Sequence, residues 1–389
     1  MKKKRILFCI RDFNHGGIPK SLENLLSLID KDKYDITVFC AWQDGYYKHV
    51  FDKYSVLPQD KLLYWFCVNY KSLHGIKLLK ALAVKLVAKL CLKLHYDIFD
   101  IHLRKTARRL SATEKYDVAV AYAEGWITDF VSYMDSVNRK IAWIHMDYKR
   151  VLAYEKSKNY ADVYSKFNYI ISPCKFSAQS FIDVHPDLSD KVRAIKNTLD
   201  VDSIKCSATA EITDFAFPKD SFSIVSVGRI CYEKQFYEIP RIVHDVLKSY
   251  SRFKWYIIGA GSDVEVNMLK DNIKKYGVED YVVILGAMDN PYPFISACNL
   301  VALLSISETF SYVAYEAKIL GVPIISTDFG AAYEIVENNT GVVVPKDNFA
   351  SELTRLMCDS AYYNQLRSGV KNYRYDNAGI LCEIETLFD

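Results

Sequence analysis

Continuous apolar runs of four to six residues recur along almost the whole chain and are separated by longer stretches of helical periodicity. Most runs lack the apolar–polar alternation of a strand with one wet face, so they predict parallel strands buried on both faces. The predicted strands are Arg5–Ile10, Asp35–Cys40, Asp117–Tyr122, Ile141–His145, Tyr169–Ser172, Ser223–Val227, Lys254–Gly259, Tyr281–Leu285, Leu300–Leu304, Pro323–Ser326 and Gly341–Val344.

Helical stretches between these runs give the chain a repeated strand–helix pattern. They include Lys20–Ile29, Phe236–Tyr250 and Val264–Tyr276. This alternation predicts an α/β protein with doubly wound, Rossmann-like sheets. Because Thr198–Lys219 is polar and aperiodic, we expect one domain over 1–200 and a second over 201–375, facing a central cleft. Residues 376–389 predict a short C-terminal helix, and whether it crosses the domain junction is left open.

Composition is that of a globular protein. Of 389 residues, 50% are hydrophobic and 25% are charged. The ten cysteines include no C-x-x-C pair, which favours a reducing compartment and argues against structural zinc. The opening Met-Lys-Lys-Lys-Arg precedes an apolar run of only Ile6–Ile10, which predicts a strand rather than a signal peptide. No apolar stretch is long enough to span a bilayer.

Charge is distributed unevenly along the chain. Residues 1–200 hold 33 Lys and Arg against 22 Asp and Glu, whereas residues 201–389 hold 17 against 25. From Lys61 to Tyr96 there is no acidic residue, and Leu79, Leu86 and Leu90 share one face of a predicted helix that carries lysines elsewhere. Two interpretations stay open: a surface helix that packs this face on the sheet, or peripheral membrane contact through residues 71–96.

Two cations and two carboxylates follow neighbouring predicted strands of the second domain. Gly228 frees the turn after Ser223–Val227, and Arg229 and Lys234 then offer positive charge to phosphate oxygens. Glu308 lies in the loop after Leu300–Leu304 and can accept from a sugar hydroxyl, and Glu316 in the next helix can accept from a ribose diol. The amides that open this helix suit phosphate or sugar oxygens, and they belong to Phe310, Ser311 and Tyr312.

The first domain offers two weaker signals. Gly16 and Gly17 open a helix after the first strand, where amides can approach a phosphate, although any tight turn favours glycine. His145 is expected at the carboxyl end of a strand, where it could face the cleft or serve as an ordinary structural histidine. Asp200-Val201-Asp202 has the form of a metal-binding D-x-D but is better explained as a linker turn, so no metal site is predicted.

These residues together resemble the retaining GT-B glycosyltransferases of family 4. The likeness covers nearly the whole chain and is strongest from Val225 to Val344. It implies two Rossmann-like domains, the second holding the sugar nucleotide and the first holding the acceptor. By position, Arg229 and Lys234 resemble the family's diphosphate-binding pair. Glu308 resembles its donor-sugar glutamate and Glu316 its ribose glutamate.

The resemblance also assigns roles in the first domain, with two departures from the family pattern. Gly17, or Gly16, corresponds to the glycine near the distal phosphate, and His145 to the cleft histidine. Where the family often has Glu-Gly-Phe-Gly, this chain has Glu-Thr-Phe-Ser from Glu308 to Ser311, which keeps the amides. Where the family often has Gly-Gly-x-Glu, Pro19 and Lys20 stand here, which leaves the acceptor contacts open.

The sequence therefore predicts a retaining, metal-independent hexosyltransferase that needs no cofactor. The expected donor is a nucleotide-diphosphate-sugar, most of all a UDP-sugar. The expected acceptor is a glycan or lipid-linked saccharide of cell-surface polysaccharide synthesis. The expected location of the protein is the cytoplasm, where it could associate with the inner face of the plasma membrane. No nucleic-acid partner is expected. The alternatives are an inactive sugar-nucleotide-binding or scaffold relative, and a sugar-nucleotide epimerase on the same fold.

Overall fold

The computed structural model describes residues 2–14, 16–68, 73–154, 160–213, 215–337 and 339–389. The chain divides into two units: Met1–Leu199 together with Asn377–Asp389, and Asp200–Asp376. The domain boundaries expected after residues 200 and 375 stay predictions. Within the described ranges, no helix combines the length and the apolar character that crossing a bilayer requires.

A seven-stranded parallel sheet forms the centre of the first unit. Its strands are β1 (Lys4–Asp12), β2 (Tyr34–Trp42), β3 (Ser55–Val56), β4 (Val118–Ala121), β5 (Arg139–Trp143), β6 (Tyr169–Ser172) and β7 (Val192–Ala194). They follow the order β3-β2-β1-β4-β5-β6-β7. Phe8 on β1 pairs with Val38 on one side and Val120 on the other. The chain reverses its direction of strand addition between β1 and β4, which makes their carboxyl ends a topological switch point.

The second unit repeats this plan with six parallel strands. They are β8 (Phe222–Val227), β9 (Phe253–Ile258), β10 (Val282–Gly286), β11 (Leu300–Leu303), β12 (Ile324–Thr327) and β13 (Gly341–Val344). Their order is β10-β9-β8-β11-β12-β13, so the switch point lies between β8 and β11. Ile224 on β8 pairs with Trp255 on β9 and Leu300 on β11, and all three are fully buried.

Helices cover both sheets. In the first unit they are α1 (Gly17–Leu28), α2 (Lys48–Phe51), α3 (Lys61–Cys67), α4 (Gly75–Lys93), α5 (Ile98–Glu114), α6 (Trp126–Ser132), α7 (Tyr148–Tyr154), α8 (Tyr160–Tyr164) and α9 (Lys175–Val184). In the second unit they are α10 (Val201–Ser207), α11 (Ile239–Val246), α12 (Asp263–Tyr276), α13 (Tyr292–Ala297), α14 (Tyr312–Ile319), α15 (Ala332–Val336), α16 (Phe349–Cys358) and α17 (Ser360–Lys371). Short 3-10 helices lie at Pro186–Lys191, Tyr232–Lys234, Phe236–Glu238 and Lys346–Asn348.

The C-terminal helix α18 (Asn377–Phe388) packs in the first unit. The ring of Phe388 meets those of Phe8 and Tyr34 edge-on, with centroids 6.3 and 5.4 Å apart. Lys4 Nζ donates to the Phe388 carbonyl at 2.8 Å. At the start of the helix, Asn377 exchanges two hydrogen bonds with the backbone of Leu199.

All eleven predicted strands are present within two residues of their expected bounds, because the apolar runs are the buried strands. Strands β3 and β7 were missed, since Ser-Val and Val-Arg-Ala are too short to carry a pattern. The predicted helix over Phe236–Tyr250 begins as a 3-10 turn and becomes α-helical at Ile239, next to Pro240. Proline fits a helix start because its missing N–H would have no helical partner there.

The exposure of the leucines of α4 contradicts one of the two interpretations left open above. Leu79, Leu86 and Leu90 are 67%, 59% and 52% exposed, so packing of this face on the sheet is wrong. The helix contacts the rest of the unit through a different face, on which Ala81 is fully buried. On this helix the three leucines, and not only the lysines, face outward.

Candidate functional site

A close backbone crossing shapes the switch point of the second sheet. Gly228 follows β8 with φ of +150°, a conformation that favours glycine. A Cβ atom at Gly259, after β9, would lie only 1.8 Å from the Gly228 carbonyl oxygen. The loops after β8 and β9 can therefore lie this close to each other only with glycine at position 259.

An ion pair joins the two predicted loops. Lys234 Nζ contacts Glu308 Oε1, and Ser305 Oγ donates to the same oxygen at 2.8 Å. The side chains of Lys234 and Glu308 are only 23% and 13% exposed. A backbone hydrogen bond of 3.0 Å, from Ile306 N to Glu233 O, ties the loops together beside the pair. Lys234 and Glu308, predicted to bind different parts of one donor, thus lie within contact of each other.

Arg229 is the second predicted cation of this loop. Its side chain is exposed, and within the described ranges it forms no ion pair. It directly follows Gly228, at the carboxyl end of the central strand β8. A planar guanidinium without a carboxylate partner is suited to bidentate binding of phosphate.

The N-terminus of α14 presents further donors. Ser311 is the N-cap, but its side chain makes no capping bond, and no acidic residue occupies the first turn. Its Oγ atom is buried and has no hydrogen-bond partner among the described residues. Phe310 stacks on Tyr315 at 4.4 Å and meets Tyr312 edge-on at 4.9 Å, so these rings brace the turn. The partial positive charge at this helix N-terminus and the Ser311 hydroxyl are suited to bind an oxyanion or a hydroxyl.

Glu316 lies inside α14 and is only 2% exposed. Its Oε1 accepts a hydrogen bond of 3.1 Å from the Tyr292 hydroxyl, at the start of α13. A buried carboxylate needs such donors because burial removes its water. Neither Tyr292 nor Ser305 was identified from the sequence, since a single tyrosine or serine in a loop carries no pattern.

In the first unit, Gly16 and Gly17 lie where the sequence placed them. Gly16 is the N-cap of α1, and Gly17 is the first helical residue. Before them, Asp12 Oδ1 accepts from the Asn14 amide at 3.0 Å and shapes the turn after β1. His15, part of the same motif, lies outside the described residues.

His145 lies two residues beyond β5 rather than within it, which corrects the predicted strand end. The cause is Glu124, whose Oε1 accepts from the backbone amides of His145 and Met146 and so ends the ladder. The imidazole is 5.0 Å from the Tyr122 ring, and its Nε2 is covered. Burial lowers the pKa of His145 to about 3, against a weaker opposing hydrogen bond with the Tyr122 backbone. The ring is therefore neutral near pH 7.

A cavity of about 880 Å³ opens at the carboxyl ends of β1 and β2 in the first unit. Its polar wall contains an ion pair in which Arg11 Nε lies 2.7 Å from Asp12 Oδ2. Aromatic rings dominate the rest, with Phe99 edge-on to both Phe66 and Trp126. No local sequence pattern predicts this cavity, because its lining comes from five separate segments: Arg11, Asp12, Asn14, Trp42, Phe66, Cys67, Phe99 and Trp126.

Asp200 of the D-x-D sequence serves as a helix cap. Its side chain accepts from the Ser203 amide at 3.0 Å at the start of α10. This agrees with the turn interpretation, since a capping carboxylate stabilises the first helical turn. Among the described residues, no group of three or more His, Cys, Asp or Glu side chains is placed to hold a metal ion.

Residues 208–373 match the family model described as glycosyl transferases group 1. The second unit is thus similar to the glycosyl transferases group 1 family. The matched segment lies wholly inside Asp200–Asp376 and includes the four charged residues of the predicted donor site, namely Arg229, Lys234, Glu308 and Glu316.

Similar proteins act in glycan assembly. The chain is 28% identical over 229 residues to the N-acetylgalactosamine-N,N'-diacetylbacillosaminyl-diphospho-undecaprenol 4-alpha-N-acetylgalactosaminyltransferase of Campylobacter jejuni, across 54% of this chain and 58% of that protein. It is 25% identical over 203 residues to the lipopolysaccharide core biosynthesis glycosyltransferase LpsD of Rhizobium meliloti, across 50% and 57%. The chain thus spans little more than half the length of these relatives.

Among solved structures, the chain is similar to Anabaena HepE in complex with UDP. The TM-score is 0.72 at 18% identity, and the alignment covers 98% of this chain and 99% of that one. At such identity the likeness concerns the fold. It confirms the predicted architecture of two Rossmann-like domains of GT-B type, with parallel sheets of seven and six strands.

Proposed function

We propose that this protein is a retaining, metal-independent glycosyltransferase of the hexosyltransferase type. It would move a sugar from a nucleotide-diphosphate-sugar, most of all a UDP-sugar, to a glycan or lipid-linked acceptor of cell-surface polysaccharide synthesis. The observation that carries the proposal is the Lys234–Glu308 pair at the switch point of the second sheet, with Arg229 in the same loop as Lys234 and all three residues inside the segment that matches glycosyl transferases group 1. Parallel α/β sheets bind ligands at this edge.

The positive groups would stabilise the leaving diphosphate. As the bond between the sugar's anomeric carbon and the phosphate oxygen breaks, negative charge grows on the diphosphate. Arg229, Lys234 and the α14 amides can hold that charge in the role that a metal ion has in other enzymes. With the donor bound, the Lys234 ammonium group would also donate a hydrogen bond to a phosphate oxygen. Glu308 could then accept a hydrogen bond from a sugar hydroxyl.

Retention places the new bond on the face that the leaving group vacates. The acceptor hydroxyl would attack the anomeric carbon there, and an oxygen of the leaving diphosphate would take the hydroxyl's proton. His145 is neutral near pH 7, so it would position a hydroxyl by hydrogen bonding rather than by charge. Glu316, oriented by Tyr292, would bind the ribose diol, and Gly16 and Gly17 would allow close approach of backbone amides.

The acceptor side rests on the first unit. Its aromatic cavity is suited to a saccharide, since sugar C–H faces stack on aromatic rings while Arg11, Asp12 and Asn14 bind hydroxyls. The Campylobacter relative is named for a diphospho-undecaprenol-linked saccharide, which supports a lipid-linked acceptor. Such an acceptor would place the protein at the cytoplasmic face of the membrane, in contact with it through residues 71–96. Of these, 71 and 72 lie outside the described residues.

The decisive experiment combines binding with transfer. The purified protein is first screened for thermal stabilisation by nucleoside diphosphates, where UDP is expected to raise the melting temperature most. Matching UDP-sugars are then incubated with saccharide and polyprenyl-diphosphate-saccharide acceptors, with and without EDTA. Expected is an α-linked product from an α-configured donor, at a rate that EDTA leaves unchanged.

Other outcomes would overturn the proposal in distinct ways. Nucleotide binding without transfer to any acceptor would support an inactive binding relative. Conversion of the donor sugar in the absence of acceptor would support an epimerase. An inverted anomeric configuration, or a rate abolished by EDTA and restored by a divalent cation, would contradict the mechanism while leaving a glycosyltransferase.

A further inference from the structure

Exposed large hydrophobic side chains concentrate on one segment of the molecule. Of the sixteen found among the described residues, nine lie between Ile76 and Tyr96, on or just after α4. The remaining seven are scattered over both units. Isolated exposed apolar residues are ordinary, whereas a contiguous group marks a surface that contacts something else.

Helix α4 is apolar on two opposite sides. One side, centred on the fully buried Ala81, packs against α3 and α5. At roughly 100° per residue, Leu79, Leu86 and Leu90 point about 140–180° away from Ala81. The first unit therefore covers the side around Ala81, except near the end of the helix, where Leu92 is 59% exposed. It leaves the opposite side uncovered, which we call the outward face: Ile76, Leu79, Leu86, Val87, Leu90 and Leu94.

Lysines flank this outward face. Lys80 and Lys93 lie on opposite sides of it, each roughly 80° or less from Leu90 around the helix. Both are exposed, as are Lys77 and Lys89. Within residues 73–96 there is no acidic side chain, and none of these four lysines forms an ion pair with the described residues. The outward face is thus a strip of apolar side chains bordered by lysines that have no ion-pair partner among the described residues.

We propose that the outward face of α4 lies on an anionic membrane surface. Its leucines would enter the boundary between headgroups and acyl chains, and its lysines would contact phosphate headgroups. A second copy of this chain fits the face poorly, because symmetric pairing would bring lysines of one α4 against lysines of the other. An anionic bilayer matches this face better, because its acyl region suits the apolar side chains and its negative headgroups suit the lysines.

The contact would also bring the aromatic cavity next to the lipid. Helix α3 packs against α4 and contributes Phe66 and Cys67 to the cavity wall. An acceptor anchored in the bilayer could then enter the cavity with its saccharide end. This consequence rests on the proposed function, whereas the membrane contact itself needs no turnover.

The test is sedimentation of the purified full chain with vesicles. One set is pure phosphatidylcholine and the other contains phosphatidylglycerol in addition. Expected is binding to the anionic vesicles that weakens with salt and falls at least about tenfold in Lys80→Glu/Lys89→Glu. Leu79→Ser/Leu86→Ser/Leu90→Ser should lose binding to a similar extent. Far-ultraviolet circular dichroism and thermal melts verify that each variant is folded.

Helix α12 of the second unit offers matched controls. Val264 and Met268 are 70% and 53% exposed, and Lys270 and Lys274 are exposed on the same helix. Val264→Ser/Met268→Ser and Lys270→Glu/Lys274→Glu should bind vesicles as the wild type does. Equal binding by the α4 and α12 variants would overturn the proposal. So would a dimer, detected by light scattering, that the leucine substitutions dissolve, because a second copy would then cover the face.

Discussion

Lys234 Nζ contacts Glu308 Oε1, which joins the loop after β8 to the loop after β11. Each side chain is largely covered, so each charge depends on the other for compensation when no substrate is present. Ser305, which donates to the same carboxylate oxygen, fixes the glutamate for this contact.

Lys234→Ala should lower turnover about 10²–10³-fold, since it removes a preorganised positive group from the leaving diphosphate. The measurement is initial rate at saturating donor. Lys248→Ala is the matched control, because Lys248 belongs to an exposed pair with Asp245 in the same unit. Wild-type turnover in Lys234→Ala would remove Lys234 from the site.

Tyr292→Phe should raise the donor KM about tenfold and change kcat little. It deletes the hydroxyl that orients buried Glu316, and a hydrogen bond to a charged group contributes about 1.5–3 kcal/mol. Tyr363→Phe, which loses a hydroxyl bonded to the Asn299 carbonyl, serves as the control. If both variants change the KM alike, Tyr292 has no specific role at the donor.

The neutral His145 should make stability depend on pH. Its pKa in the folded state is about 3, whereas an ordinary histidine has a pKa near 6.5. Below pH 6.5 the histidine therefore binds a proton in the unfolded chain but not in the folded chain, so the free energy of unfolding decreases as pH falls. From pH 7 to pH 5, wild type should lose about 2 kcal/mol more than His145→Gln in urea unfolding. Exposed His49→Gln should follow the wild type.

Trp42→Ala should raise the KM for a saccharide acceptor about tenfold and leave UDP binding unchanged, because it removes one aromatic wall of the cavity. Acceptor titration and thermal shift with UDP measure the two effects separately. Trp65→Ala, at a tryptophan that does not line the cavity, is the control. An unchanged acceptor KM in Trp42→Ala would place the acceptor elsewhere.

Two glycine substitutions distinguish the cost of a steric clash between two backbone segments from the cost of a strained backbone conformation. Gly259→Ala puts a methyl group against the Gly228 carbonyl and should cost about 3 kcal/mol or more, or prevent folding. Gly277→Ala, at the C-cap of α12 with φ of +64° and open space around it, should cost about 1–2 kcal/mol. Equal costs in urea unfolding would contradict the crossing at Gly228.

The fold was largely predictable because buried parallel strands leave continuous apolar runs, whereas the order of the strands in each sheet, and with it both switch points, is known only from the structure. Motif residues such as Arg229 and Glu308 could be placed after their strands for the same reason. Their partners could not: Tyr292 lies on another helix, and Ser305 and Glu124 act through geometry that exists only in the folded chain.

The aromatic cavity and the outward face of α4 show two further limits. The cavity assembles from side chains far apart in sequence, which no local pattern connects. For α4, periodicity identified an apolar face but could not tell whether protein covers it. Because Ala81 and its neighbours supply a second, smaller apolar side, the leucine side was free to remain outside.

Helix α18 gives the chain an unusual order of assembly. Residues Asp200–Asp376 are synthesised before the helix that covers Phe8 and Tyr34. During translation the second unit can therefore finish folding while the first still shows bare aromatic rings beside its central strands. The first unit would therefore complete its folding after the second, although it leaves the ribosome first, and its exposed rings would be available to chaperones that bind nascent chains.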